Sequence, residues 1–108
     1  MARKQIPEFE IEVDGEPFLW RLQRQPQWSS DTNSYRGMAL ALRHKEGQRE
    51  AVVEFPAGQQ PRYGAPLLKP AQIAPELVAR AITSAIEAGW APLSRGKTVA
   101  IVVDETGG

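Results

Sequence analysis

Apolar and polar residues alternate one by one from Phe9 to Leu22. Phe9, Ile11 and Val13 fall on one side of an extended chain, and Glu8, Glu10 and Glu12 fall on the other. Asp14-Gly15 interrupts the run. Phe18, Trp20 and Leu22 then resume the apolar parity, interleaved with Leu19, Arg21 and Gln23. Period-two alternation on both sides of a turn dipeptide predicts an antiparallel hairpin with one apolar and one wet face. A two-residue loop pairs Val13 with Glu16, Ile11 with Phe18 and Phe9 with Trp20. A four-residue loop keeps the parity and pairs Val13 with Phe18, whereas a three-residue loop would turn Leu19 toward the core. The shorter register also sets Glu8 opposite Arg21, a favourable cross-strand pair.

The same pattern returns further on. Met38, Leu40 and Leu42 alternate, then Ala51, Val53 and Phe55. A loop at Glu46-Gly47 pairs Leu42 with Ala51, Leu40 with Val53 and Met38 with Phe55, and sets Arg43 opposite Glu50. Residues 25–35 between the hairpins are polar and read as a long loop. Residues 56–75 hold five of the nine prolines, so 56–70 reads as irregular, because proline offers no ladder donor and interrupts helices. Pro75 sits where a first helical turn tolerates it. Leu77, Val78, Ala81, Ile82, Ala85 and Ile86 then form an apolar stripe opposite Glu76, Arg80, Thr83, Ser84 and Glu87. This is an amphipathic helix, ended by Gly89 and kept from resuming by Pro92, with Trp90 folding back on its last turn. Val99 to Val103 is uninterrupted and apolar, and reads as a strand buried on both faces. The expected fold is therefore α+β: a mainly antiparallel five-stranded sheet in the order ββββαβ, with one helix packed on one face. The last strand fits beside the fourth or beside the first.

Composition narrows the class. The chain has 108 residues, enough for one domain with a modest core, and 1–5 and 105–108 read as frayed ends. Thirteen basic and thirteen acidic residues cancel. Neutrality disfavours a dedicated nucleic-acid binder and eases self-association. There is no cysteine, so disulfides, thiolate nucleophiles and thiolate metal sites are excluded. No apolar stretch follows the basic start, and none is long enough to span a bilayer, so a cytoplasmic domain without a membrane partner is expected.

Candidate chemistry is sparse. Ala91 to Thr98 ends in Gly-Lys-Thr and fits the relaxed phosphate-loop pattern, with Asp104-Glu105 after an apolar strand. That loop works where a strand runs into a helix N-terminus, and here a helix precedes and a strand follows. It reads as an ordinary turn. His44, the single histidine, has no evident nucleophile beside it and reads as solvated at a hairpin end. Ser29, Ser30 and Asp31 read as turn chemistry. Glu8, Glu10 and Glu12 read as a wet strand that blunts its own edge. No catalytic residues, metal site or cofactor are expected.

Two features point to binding. The long loops 25–35 and 56–72 carry Trp28, Tyr35, Arg36, Arg62 and Tyr63, a candidate small-ligand or peptide site if the loops converge. Aromatics interleaved with arginines are also compatible with single-stranded nucleic acid, which neutral charge disfavours. The second feature is Leu19, Ala39, Ala41 and Val52, all on the parity turned away from the helix. One helix cannot cover both faces, so a second chain, a protein partner or the proline-rich loop must close this patch. A homodimer through these four residues is the leading expectation. The stretch Val13-Asp14-Gly15 with Phe18, Trp20 and Arg21, followed by a helix closed by Gly89-Trp90-Ala91-Pro92, resembles small bacterial single-domain proteins of unassigned function. The resemblance implies a stand-alone bacterial domain and no particular activity.

Overall fold

The computed structural model describes residues 8–25, 27–29, 34–56, 73–104 and 106–108. Five strands form the main sheet: β1 (Phe9–Val13), β2 (Glu16–Arg24), β5 (Ala39–His44), β6 (Ala51–Glu54) and β7 (Val99–Val102), in the spatial order β1-β2-β5-β6-β7. All neighbours are antiparallel except β6 and β7, which run parallel. One helix, α1 (Pro75–Glu87), lies between β6 and β7 in sequence. The fold is α+β, as the alternation predicts, and the last strand sits beside the fourth strand of the ββββαβ pattern.

Both hairpins adopt the expected registers. Phe9 pairs with Trp20, Ile11 with Phe18 and Val13 with Glu16. Asp14 and Gly15 have φ of 51° and 79°, and two successive positive values are what a type I′ hairpin turn requires. Leu40 pairs with Val53 and Leu42 with Ala51, and the Phe55 amide donates to the Met38 carbonyl. The inward residues form one core. Phe18, Trp20, Leu40, Leu42, Ala51, Val53 and Phe55 meet Val78, Ala81, Ile82 and Ala85 of α1. Phe9 is less covered, at 38% exposure, and stacks tilted on Trp20 with ring centroids 5.1 Å apart.

Helix α1 begins with Pro75 at its first position and has no side-chain cap, because Ala74 precedes it. Its end is a Schellman motif. The Trp90 amide donates to Ala85 and the Gly89 amide to Ile86, with Gly89 at φ 113°. This reversal inserts Trp90 into the core, where its Nε1 donates to the Arg49 carbonyl at 3.2 Å.

Three expectations need correction. Residues 25–35 are not one long loop, because β3 (Gln27–Ser29) pairs antiparallel with β4 (Ser34–Arg36) as a separate two-stranded hairpin. These two short strands pair only with each other, and their mostly polar sequence carries no apolar alternation to read. Val99 to Val103 is not buried on both faces. It is the last strand of the sheet, so Ala100 and Val102 are exposed on the outer parity while Val99 and Ile101 pack on the core. His44 is not solvated: it has inward parity after Leu40 and Leu42 and is 2% exposed. The proline-rich stretch lies outside the described residues from 57 to 72, as do the N-terminal residues 1–7 and Glu105.

Candidate functional site

The sheet face turned away from α1 is where sequence and structure meet most directly. Cross-strand pairing sets it out in rows. One row runs Arg21, Ala41, Val52, Ala100, and the next runs Arg24, Ala39, Glu54, Val102. A third places Leu19 between Glu10 and Arg43. Charged side chains therefore reach from β1 across to Glu54 of β6, and the apolar positions Val52, Ala100 and Val102 lie toward the β7 edge.

The charged side is a lattice of ion pairs. Arg21 Nη1 donates to Glu50 Oε2 at 2.7 Å and lies 3.7 Å from Glu8. Glu8 accepts two bonds from Arg43, each at 3.2 Å. Lys45 reaches Glu10 at 2.9 Å. Glu50, opposite Arg43 by register, thus bonds Arg21 instead. Its hydrogen bond to the Arg21 guanidinium, partly offset by desolvation, pushes the Arg21 pKa up from its already high ordinary value. Arg24 belongs here only because of a bulge between Leu22 and Arg24, which turns it from the inner to the outer parity. Its Nη2 donates to Glu54 at 2.6 Å and to the Gly37 carbonyl at 2.9 Å. The alanines make this possible. A small floor lets the arginine stems lie across the sheet while their heads stay at the wet surface.

This geometry locates the four predicted interface residues. Ala39 and Ala41 are 2% and 1% exposed within the single chain. Leu19 is half-buried among charges. Val52 is half-buried and continues into Ala100 and Val102, the latter 75% exposed. The apolar surface that remains open is thus at β6 and β7, and Ala100 and Val102 belong to it although sequence reasoning placed them in a buried strand. Their signal was present: a five-residue apolar run at the end of a sheet cannot hide both of its faces.

The loop site is half visible. Trp28 pairs with Tyr35 and Gln27 with Arg36 across the β3–β4 hairpin, so three of the five candidate residues share one ribbon. Arg62 and Tyr63 lie outside the described residues. The described surface also holds an open cleft between the first hairpin turn and α1, lined by Glu12, Asp14, Arg80, Thr83 and Glu87 among others.

The remaining candidates have structural partners. His44 Nδ1 accepts the Glu46 amide at 3.0 Å, so the proton sits on Nε2, which donates to Glu16 at 2.9 Å. The ring stands edge-on to Phe18 at 5.1 Å. The Ala91–Thr98 turn is tied down by Arg49, which donates to the Lys97 carbonyl and to Ser94 Oγ. Asp104 Oδ1 accepts the Thr106 hydroxyl and the amides of Gly108 and Thr106, which hold its pKa below the usual carboxylate value. Among the described residues no three His, Asp or Glu side chains gather as metal ligands, and no helix is long and apolar enough to cross a membrane. Comparison with known family models, curated proteins and solved structures finds no match.

Proposed function

We propose that the chain is a small non-enzymatic binding and assembly module that self-associates through the apolar part of the sheet face turned away from α1. The observation that carries this reading is Val102, 75% exposed, beside Ala100 on a strand with no charged side chain, its cross-strand partner Glu54 being already bonded to Arg24. Apolar groups left open beside an otherwise charged face are characteristic of contact surfaces. The neighbouring lattice supports the reading too. Its arginines and glutamates neutralise each other in place, so a second copy approaches without like-charge repulsion. A bacterial, cytoplasmic setting is part of the same proposal, motivated by the resemblance in sequence and the absence of cysteine.

Sedimentation velocity across a concentration series tests it. The wild-type chain is expected to move from monomer toward dimer as concentration rises. A wild-type chain that sediments as monomer throughout would overturn the proposal.

A second reading is favoured by one observation, the pairing of Trp28 with Tyr35 beside Arg36. It makes the β3–β4 hairpin a peptide or small-ligand platform. Amide shift mapping with a panel of short peptides is expected to move resonances within 25–36 if this holds. A panel that leaves them unmoved would rule it out.

A further inference from the structure

We infer that two copies of the chain join edge to edge along β7, antiparallel and centred on Ile101, to make one continuous ten-stranded sheet. The inference rests on the self-association proposed above and moves its contact from the apolar part of the face to the adjoining edge of β7. It begins with backbone groups. The Val99 amide donates to the carbonyl of Glu50, just before β6, and the Val103 amide to that of Glu54 at its end. In an extended strand the N–H and C=O of one residue leave on the same side, and successive residues alternate. Val99, Ile101 and Val103 therefore face β6, and the backbone groups of Ala100 and Val102 face outward along the open edge. No described partner takes them. The edge is closed just beyond, where the Asp104 amide donates to the Gly108 carbonyl at 3.1 Å. What remains open within Val99–Val102 is short: the backbone groups of Ala100 and Val102.

A second copy fits that gap with its two-fold axis at Ile101. Directly opposed residues must share a sheet face, so antiparallel self-pairing needs an axis through a residue rather than between two. An axis at Ile101 sets Ala100 opposite Val102 of the other copy, twice, and uses all four outward donors and acceptors. It brings Ile101 beside its symmetry mate on the α1 side. It also sets Thr98, next to Lys97, opposite Asp104 of the other copy. Parallel pairing would set like charges together. The opposite edge of the sheet offers no equal alternative, because β1 carries Glu8, Glu10 and Glu12 whereas Val99–Val102 carries no charge. The two-fold arrangement also closes on itself, where β7-to-β1 pairing would grow a filament.

Stacking face to face is the competing geometry, and it is disfavoured. Stacking would draw the ion-pair lattice out of water on both copies. Edge pairing leaves the lattice wet.

The cysteine-free chain makes the test clean. Single variants Ile101→Cys and Val102→Cys are oxidised mildly and run under non-reducing conditions. Opposed positions lie about 4.5–5.5 Å apart between Cβ atoms, near disulfide reach, while residues offset by two lie about 7–8 Å apart. Edge pairing therefore predicts an Ile101→Cys dimer and little from Val102→Cys. A disulfide at Val102→Cys but not at Ile101→Cys would overturn edge pairing and leave self-association standing. Dimeric sedimentation with neither disulfide would do the same. Monomeric sedimentation with neither would overturn both. Ala100→Pro gives an independent check, since it removes only an outward-facing amide and proline is tolerated at that kind of edge position. It is expected to keep the monomer's circular dichroism and lose the dimer. A dimer that survives this change overturns the inference.

Discussion

Several single positions are held by close approach rather than by charge. A Cβ at Gly37 would run into the carbonyls of Phe55 and Pro56, and one at Gly47 into the carbonyl of Pro92. Gly37→Ala therefore forces backbone apart, and denaturant unfolding is expected to show a loss of about 1–3 kcal/mol, the usual cost of overpacking. Arg21 separates two roles of a long side chain, its charge and its cover over Ala41. Arg21→Met keeps the stem and Arg21→Ala removes it. With the guanidinium at the surface, the ion pair itself is worth about 1 kcal/mol or less. The methionine variant is thus expected to be the more stable of the two in a melting comparison, and equal loss in both would assign the whole effect to charge. Asp104 supplies the pH dependence. Its folded pKa is depressed, first by the Thr106 hydroxyl, so its contribution is complete above the ordinary value of 3.8 and is lost as pH falls through the lower folded value. Its carboxyl resonance is expected to titrate below 3.8, and Thr106→Ala to move the midpoint back up. At this scale the sequence was least informative. The inward parity of His44 was readable from Leu40 and Leu42, but the Glu46 amide that fills its Nδ1 comes from a turn whose shape no pattern specifies.

The elements were the most legible part of the chain. Both hairpins closed in register because period two and turn length together leave one parity that turns Phe18, Trp20, Leu40 and Val53 inward at once. The helix was readable from Pro75 and Gly89 as much as from its stripe. Two departures share a cause. The bulge at Leu22/Arg24 and the exposed parity of β7 both depend on what lies beside a strand, and alternation along one strand carries no record of its neighbours. For the same reason the ion pairs were only half foreseen: Glu8 faces Arg21 as expected, but Glu50 reaches Arg21 across β5. The helix makes a prediction of its own. With Ala74 at its N-cap and no side-chain cap bond, Ala74→Asp is expected to raise stability by about 1 kcal/mol, read as a higher denaturation midpoint. No rise would mean that the preceding chain cannot place the carboxylate over the first turn.

For the whole molecule, the arrangement is asymmetric in a way that bears on function. α1 roofs one face of the sheet, paired charges coat most of the other, and acids line the β1 edge. Among the described residues, only the β7 edge is left both apolar and unpaired. Composition hinted at association through neutral charge, and parity located an apolar second face, yet neither could show that Ala39 and Ala41 are closed off within the chain while Ala100 and Val102 stay open. The central claim is that this open edge is a contact made by a second copy. Amide hydrogen exchange at Ala100 and Val102, followed over a concentration series, addresses it residue by residue. Protection at both amides is expected to rise with protein concentration, while that at Val99 and Ile101, already bonded to β6, stays constant. Exchange at Ala100 and Val102 that is fast at every concentration would contradict the account.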